Sequence, residues 1–224
     1  MDRPYYHLNF AMTADGRMAD QDGARLRISS PEDMRRVHLL RQEQGAILVG
    51  VNTVLMDDPK LTVKEELVPS PRPLTKIVLD TRGRTPRTAK FLMTPGRSIL
   101  AIGRGIDKGA LERSLSPDPG AGPDMEVIVV EDTHGRLDLI DLSGFLLERG
   151  IDKVLVEGGP TVIGGFLSLG IWDRLTIYIG PMLVGGNGPS LSKGTMEIER
   201  STELRLMDQQ RLGEGLLLEY APIR

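Results

Sequence analysis

The stretch Lys153-Val154-Leu155-Val156-Glu157-Gly158-Gly159-Pro160-Thr161 combines an apolar run, a glycine pair and the start of a helix. The run before Glu157 predicts a buried strand, and Pro160 suits the first position of a helix. Glycines let an anion approach the backbone, and the free N–H groups of a helix start attract it. Glu157 follows the strand at its carboxyl end, where open α/β sheets bind ligands. These residues predict a phosphate-binding turn, but a purely structural turn, with Glu157 as a cap or salt-bridge partner, fits them as well.

Four further runs rich in β-branched residues predict buried strands, which need helices on both faces of the sheet. These runs are Ala46 to Gly50, Lys76 to Leu79, Ser98 to Ile102 and Glu126 to Val130.

Helices are predicted between these strands. The first has Ser30 as its N-cap, Pro31 at its first position and Asp33 in an approximate capping-box position, and it runs to about Glu43. The others run from Leu139 to Glu148 and from Pro160 to just before Gly170. Such alternation favours a central, largely parallel sheet.

The end of the chain has a different pattern. Strands are predicted at Arg174 to Ile179, Glu203 to Arg211 and Gly215 to Ala221, without helices between them. The turn Gly213-Glu214-Gly215 fits an antiparallel hairpin. We therefore expect an α/β fold whose mixed, mostly parallel sheet has an antiparallel C-terminal hairpin at one edge.

One domain over residues 1–224 is expected from the length. The segment Ser116 to Asp124, with three prolines and two glycines, predicts a mobile loop inserted within that domain.

Composition excludes several classes of function. A net charge of −3 argues against a nucleic-acid surface, and cysteine is absent, which excludes disulfides, thiolate metal sites and a cysteine nucleophile. His7, His38 and His134 lack metal-type spacing, so no metal site is predicted and all three are taken as structural or surface residues. No apolar stretch reaches the ~18 residues of a membrane span. A cytoplasmic protein with no membrane contact is expected.

A second polar turn follows the strand that begins at Ala46. Asn52, Thr53 and Asp57 offer hydrogen-bonding groups there, although a capped helical turn ended by Asp58-Pro59 explains the same residues. Its place at a strand end makes it a candidate binding segment.

Several arginines are weaker candidates. Arg41 shares a helical stripe with Val37 and His38, where a guanidinium attracts an anion or simply extends its head group to solvent. Arg35-Arg36 and Arg82-Gly83-Arg84 are taken as solvated faces. Arg104, just past a strand, is a candidate for the 2′-phosphate that distinguishes NADP from NAD.

Taken together, several segments resemble the RibD C-terminal reductase family in order and spacing over nearly the whole chain. The segments are Asn9 to Gly16, Leu40-Arg41, Ala46 to Gly50, Thr53 to Thr62, Glu157 to Thr161 and Tyr178 to Pro181.

This resemblance implies a dihydrofolate-reductase-like fold, a homodimer, and NADPH-dependent reduction of a pyrimidine ribosylamine 5′-phosphate in riboflavin biosynthesis. It implies a catalytic role for Glu157. The cofactor would contact Thr53, Asp57, Gly158, Gly159, Pro160 and Thr161. The substrate would contact Asn9, Arg41, Leu61 and Lys64.

The chain departs from the family pattern at two positions. Lys64 stands where arginine is usual; it keeps a charge for the 5′-phosphate but lacks the bidentate fork. Arg27 stands where some members have a cofactor-stacking tryptophan.

The lack of cysteine also excludes the zinc deaminase that bacterial bifunctional relatives carry, because its signature needs Pro-Cys-x-x-Cys. We therefore expect a stand-alone reductase that acts on the diamino pyrimidine. A reductase of the deaminated pyrimidine, a pterin or folate reductase of the same fold, and a non-catalytic nucleotide-binding module are the alternatives.

Overall fold

The computed structural model describes residues 2–24, 26–115, 124–191 and 203–223. Most of the predicted mobile loop, residues 116–123, lies outside the described residues. In the described part of the chain, no helix is both long and apolar enough to cross a membrane.

Within these ranges, nine strands form one sheet and two short strands form a separate hairpin. The strands are β1 (Tyr5–Thr13), β2 (Ala46–Gly50), β3 (Thr75–Leu79), β4 (Ser98–Ile102), β5 (Met125–Val129), β6 (Asp132–Thr133), β7 (Arg136–Leu137), β8 (Lys153–Val156), β9 (Arg174–Gly180), β10 (Leu204–Leu212) and β11 (Gly215–Pro222).

Five α-helices belong to the same described ranges, together with a 3₁₀ turn at Lys90–Met93. The helices are α1 (Pro31–Gln44), α2 (Val51–Asp57), α3 (Lys108–Leu115), α4 (Leu139–Glu148) and α5 (Pro160–Leu169).

The order of the large sheet is β10-β11-β9-β1-β8-β2-β3-β4-β5. The pairs from β9 to β5 are all parallel, whereas β11 pairs antiparallel with both β9 and β10. The prediction of a mostly parallel sheet with an antiparallel C-terminal hairpin is confirmed. All the parallel strands therefore end at one common edge, and that edge positions the candidate site.

Apolar side chains cover both faces of the sheet. Alternate strand residues such as Leu48 and Val156 pack with α4 and α5, and the intervening residues, such as Val49 and Val78, pack with α2 and Phe91 on the other face. Neighbouring side chains of a strand point to opposite faces, so a continuous apolar run serves a strand covered on both sides.

Helix α1 begins as its sequence predicts. The Ser30 hydroxyl accepts the Asp33 N–H at 3.2 Å, and Gly45 ends the helix with a left-handed backbone conformation. The Asp33 carboxylate, however, accepts from Arg36 at 2.8 Å. Asp33 therefore contributes an i,i+3 ion pair along the helix surface.

Strand β1, helix α3 and the hairpin of β6 and β7 were not predicted. Strand β1 lies in the middle of the sheet although polar residues interrupt its sequence. The helical turn that the sequence offered as one explanation of the residues after β2 is the seven-residue helix α2. Strand β1 and helix α2 border the candidate site.

Candidate functional site

The predicted phosphate-binding turn and the polar turn after β2 lie side by side. Their strands are neighbours, with Leu48 paired to Val156. A Cβ atom at Gly158 would lie 2.5 Å from both Val49 Cα and Gly50 N, so only glycine allows this approach. The Gly159 N–H points to Thr53 Oγ1 at 3.4 Å. Two segments 106 residues apart in sequence thereby meet at the edge of the sheet and form one side of the candidate cleft.

The start of α5 has the properties of an anion site. Gly159 is the N-cap and supplies no side-chain cap, and Pro160 occupies the first turn. Pro160 has no N–H, and the Val162 and Ile163 N–H groups donate to the Gly159 carbonyl at 3.1 and 3.2 Å, which leaves the Thr161 N–H and the positive end of the helix dipole to attract an anion. A Cβ atom at Gly159 would meet only Thr53 Oγ1, at 3.8 Å, within 4 Å. The backbone at Gly159 is therefore not crowded by other atoms.

Glu157 lies beside that turn in a bidentate ion pair with Arg41. Arg41 Nε donates to Oε1 at 2.9 Å and Nη2 donates to Oε2 at 2.6 Å, while Nη1 donates to the Thr62 carbonyl at 2.9 Å. The side chains are 17% and 12% exposed, so the pair is mostly removed from water. Burial opposes the charge of Arg41, but Glu157 outweighs it and holds the pKa of Arg41 above its usual value.

This geometry changes the prediction made for Arg41. It was expected to face a substrate phosphate, but in the structure most of its donors are directed to protein acceptors. In the structure, Arg41 therefore orients the Glu157 carboxylate. A direct phosphate contact by Arg41 stays a prediction.

Asn9 lies next to Glu157 on the same face of the sheet. Leu8 pairs with Val156, so Asn9 and Glu157 follow at the same level on adjacent parallel strands. Asn9 Oδ1 accepts from Arg36 at 2.8 Å and from Thr176 Oγ1 at 2.8 Å. The prediction that Arg36 lies on a solvated face is wrong, because its side chain is 16% exposed and joins Asp33 to Asn9.

The segment after α2 closes the cleft from the side of α1. Leu61 is buried and has a φ of 50°, a left-handed conformation that is unfavourable for leucine. The next residue, Thr62, directs its carbonyl to Arg41. Two residues further, the Lys64 N–H donates to His38 Nδ1 at 3.2 Å, while the Lys64 side chain is 55% exposed with Nζ 3.4 Å from Glu66. The Lys64 amine is thus a largely exposed positive charge that is paired only with the exposed Glu66.

The remaining predicted cofactor residue, Asp57, is exposed at the end of α2. The next residue, Asp58, was not predicted to belong to the site. It adopts a left-handed conformation, accepts the Lys90 N–H at 2.8 Å and pairs with the Lys90 side chain at 3.2 Å. Asp58 fixes the end of α2, and so the position of Asp57.

The two buried histidines are structural, as predicted. His7 Nε2 lies 3.1 Å from Thr176 Oγ1, and His38 Nδ1 accepts the Lys64 N–H. Burial, assisted by Arg174 at His7 and Arg41 at His38, lowers the pKa of each to about 4. Both rings are therefore neutral at pH 7. His134 is exposed.

Arg104 and Arg27 lie away from the glycine turn. The Arg104 side chain is paired with Glu131, and its N–H donates to Asp132 Oδ1 at 3.0 Å. Arg27 lines an open cavity of about 420 Å³ beside Tyr178 and the hairpin turn at Gly213. Neither position contacts Thr53 or Gly159.

A mostly parallel sheet with an antiparallel edge hairpin, and a carboxylate beside a glycine turn where β8 and β2 end, define an α/β reductase of the dihydrofolate-reductase-like class. The family can be stated more closely. The model of the RibD C-terminal domain matches residues 4–218, and the chain belongs to that family.

Individual relatives agree with this assignment. The chain is 36% identical to a 2,5-diamino-6-ribosylamino-4(3H)-pyrimidinone 5′-phosphate reductase of Methanothermobacter thermautotrophicus, over 97% of this chain and 98% of the relative. It is 34% identical to the protein of the same name from Archaeoglobus fulgidus, over 95% of each. Among solved structures, Acinetobacter baumannii RibD superposes with a TM-score of 0.78 at 26% identity, over 100% of this chain and 59% of RibD.

Proposed function

We propose that this chain is the NADPH-dependent reductase of 2,5-diamino-6-ribosylamino-4(3H)-pyrimidinone 5′-phosphate in riboflavin biosynthesis. The observation that carries the proposal is the position of Glu157, which lies one residue before the glycine turn and within hydrogen-bond distance of Arg41. Two relatives that match almost end to end have this substrate in their names.

The residues at the strand ends fit a dinucleotide. Gly158, Gly159 and the start of α5 would bind the phosphates through backbone N–H groups, with Pro160 and Thr161 in the first helical turn. The Thr53 hydroxyl, already near the Gly159 N–H, would complete this contact, and Asp57 would bind further along α2. When bound, NADPH supplies the hydride for the reduction.

Glu157 would act on the substrate next to this turn. Reduction of the ring-opened sugar turns its C1′ imine into an amine, which takes up one hydride at carbon and one proton at nitrogen. A carboxylate held by Arg41 either stabilises the positive charge that develops at this nitrogen or orients the ribose hydroxyls. In both roles the fixed geometry is useful, because correct orientation contributes ~7–11 kcal/mol in well-aligned systems.

The substrate would be positioned by residues on the side of the candidate cleft that faces away from the glycine turn. Asn9, at the level of Glu157, would present its amide beside the carboxylate, and the buried Leu61 would support this side of the site from within the core. Lys64 would approach the 5′-phosphate from the cleft mouth, since its exposed amine is held only weakly by Glu66.

We further propose a homodimer formed by edge strand β10. It exposes Leu206 and Met207, at 50% and 58%, between Arg205 and Asp208, where its pairing with β11 has a bulge. A long edge strand with apolar residues and both charge signs fits antiparallel pairing with a second copy. Sedimentation should then show a dimer for the wild type and a monomer for Leu206→Arg, and a monomeric wild type would refute this interface.

The lack of cysteine and the small-molecule substrate favour a cytoplasmic enzyme that binds neither nucleic acid nor membrane.

A steady-state assay of NADPH oxidation tests the proposed function. We expect turnover with the diamino pyrimidine phosphate, less with its deaminated form, and none with dihydrofolate. Preference for dihydrofolate would indicate a folate reductase. Binding of NADPH without oxidation by either pyrimidine would indicate a nucleotide-binding module.

A further inference from the structure

Helix α1 directs two arginines to neighbouring polar side chains of the sheet. Arg41 holds Glu157, and five residues earlier Arg36 donates through Nη2 to Asn9 Oδ1 at 2.8 Å. The Nε of Arg36 also donates to Asp33 Oδ1 at 2.8 Å, and the Asp33 side chain is only 1% exposed. The contact between Arg36 and Asn9 is therefore anchored by a carboxylate inside the protein.

The partners of Asn9 determine which way its amide faces. A guanidinium only donates hydrogen bonds, so the atom of Asn9 that meets Arg36 is the oxygen. The Thr176 hydroxyl donates to the same oxygen at 2.8 Å, whereas the Leu8 carbonyl lies 3.5 Å from that hydroxyl. His7 Nε2, at 3.1 Å from Thr176 Oγ1, is then the donor to this hydroxyl. Both lone pairs of the Asn9 oxygen are thus occupied by protein donors.

The nitrogen of the Asn9 amide remains open. Among the residues that the structure describes, Nδ2 donates to no acceptor, and it is not one of the polar atoms that are fully buried without a partner. Strand β1 lies between β9 and β8, and Thr176, the pairing partner of Asn9, belongs to β9. Because the oxygen is turned towards β9, the N–H groups are turned towards β8 and Glu157.

A donor and an acceptor therefore lie side by side in the candidate cleft. Asn9 and Glu157 follow at the same level on adjacent strands, which are about 4.8 Å apart. With its oxygen occupied, Asn9 only donates, while the charged Glu157 only accepts and keeps lone pairs beyond those that Arg41 uses. Such a pair matches two adjacent polar atoms of a ligand, for example an oxygen of the sugar and the group on the next carbon.

We propose that Arg36 is a positioning residue that fixes Asn9 as a hydrogen-bond donor to an oxygen of the substrate sugar, an inference that rests on the proposed function. Without Arg36 the amide is free to turn over and to offer its oxygen instead. A donor that is already oriented costs no reorganisation when the substrate binds. A site built in this way favours a ligand with an acceptor beside Glu157 over one that lacks it.

The variant that releases the amide has to spare the fold. Asp33 Oδ2 already lacks a hydrogen-bond partner, so Arg36→Met alone would leave this buried carboxylate without its cation. The release variant therefore combines Arg36→Met with Asp33→Asn. Arg35→Met is the matched control, because Arg35 is the exposed neighbour on the same helix. Circular dichroism and thermal melts confirm that each protein is folded.

Steady-state kinetics in a double-mutant cycle separates positioning from structural support. We expect Asn9→Ala and the release variant each to lower kcat/KM about tenfold, as the loss of one hydrogen bond does. In the Asn9→Ala background the release substitutions should have almost no further effect, because they act through the Asn9 amide. Additive losses, or a loss of the same size in Arg35→Met, would overturn the inference.

Asn9→Asp tests whether the side chain works as a donor. It keeps an oxygen for Arg36 and for Thr176 but has no N–H group, so kcat/KM should fall at least as far as in Asn9→Ala. A near wild-type kcat/KM in Asn9→Asp would show that the donor is not used.

NMR spectroscopy of the side-chain amides tests the positioning in the ligand-free protein. The pair of signals that is missing from Asn9→Ala belongs to Asn9 Nδ2. We expect this pair to shift in the release variant and to stay in place in Arg35→Met, and an unshifted pair in the release variant would overturn the inference. If the pair shifts as expected but the wild type reduces no pyrimidine phosphate, the proposed function fails and the fixed amide stands.

Discussion

Arg41 donates to both carboxylate oxygens of Glu157, over 2.9 and 2.6 Å, and so joins helix α1 to the end of strand β8. Two planar groups matched in this way leave little freedom to either side chain. The carboxylate is therefore held in one orientation before any ligand arrives.

Replacing either partner should disable the reaction while the fold survives. Glu157→Gln keeps the shape and one acceptor for Arg41 but removes the charge. Arg41→Ala frees the carboxylate at a cleft that water can enter. We expect kcat/KM to fall by about 10²–10³ in each, the range seen when a preorganised electrostatic contact is lost. Steady-state kinetics, with circular dichroism to confirm folding, measures this, and near wild-type turnover in a variant would remove that residue from the site.

Gly158→Ala should destabilise the protein at the junction of β8 and β2. The new Cβ would lie 2.5 Å from Val49 Cα and Gly50 N, which are backbone atoms that cannot rotate away. We expect a loss of about 1–3 kcal/mol in the free energy of unfolding, as for other overpacked sites. Denaturant titration gives this value.

Gly144→Ala is the matched control, because a Cβ there meets nothing within 4 Å and the residue lies inside α4. It should stabilise the protein by up to about 1 kcal/mol through helix propensity. Equal effects of the two substitutions would show that the close approach at Gly158 is not as described.

Acidification should weaken the fold through His7 and His38. Both have a folded-state pKa of about 4, below the ordinary 6.5. The unfolded chain therefore binds more protons between about pH 6.5 and 4, and the free energy of unfolding falls as the pH falls through that window. Thermal melts across this range check the slope.

His38→Gln, which offers an acceptor to the Lys64 N–H without titrating, should reduce that slope, while the exposed His134→Gln should leave it unchanged. The same slope in wild type and His38→Gln would contradict a neutral, buried His38.

Lys76→Met should destabilise the segment that follows the 3₁₀ turn. Lys76 is fully buried, and its amine donates to the carbonyls of Phe91 and Thr94 at 2.9 and 2.8 Å. Methionine fills the space but removes the donor to the Thr94 carbonyl, while the Phe91 carbonyl keeps the Thr94 hydroxyl at 2.8 Å, so we expect a cost of about 1–3 kcal/mol. Denaturant titration measures the loss, with the exposed Lys153→Met as control; equal stability of both variants would refute the role assigned to the buried amine.

The sequence predicted those parts of the fold in which local pattern and final environment agree. The unit from Lys153 to Leu169 has a β-branched run, a glycine pair, and proline at the helix start, and its bounds match the structure. Strand β1 was not predicted because His7 and Asn9 interrupt its apolar pattern. Those polar side chains become acceptable only when Arg36 and Thr176 bind them from other elements.

The site was predictable as a set of segments, but not as a set of contacts. The resemblance grouped Glu157, Arg41, Thr53 and the glycine pair, and in the structure Glu157 contacts Arg41 while Gly159 lies near Thr53. The bond between Arg41 and Glu157 joins residues 116 positions apart, so no local pattern reveals it. Arg36 was misassigned for the same reason, although an i,i+3 spacing from Asp33 was a visible signal of its fixed position.

The glycine turn after Glu157 and the Thr53 turn would together hold the phosphates of a dinucleotide, and calorimetric titration of the wild type and of Thr53→Val with NADPH tests this. We expect the wild type to bind with a dissociation constant in roughly the micromolar range. Thr53→Val should bind at least about tenfold more weakly, because the methyl group that replaces the hydroxyl cannot hydrogen-bond to a phosphate. No binding by the wild type at millimolar NADPH, or equal affinities of the two proteins, would contradict it.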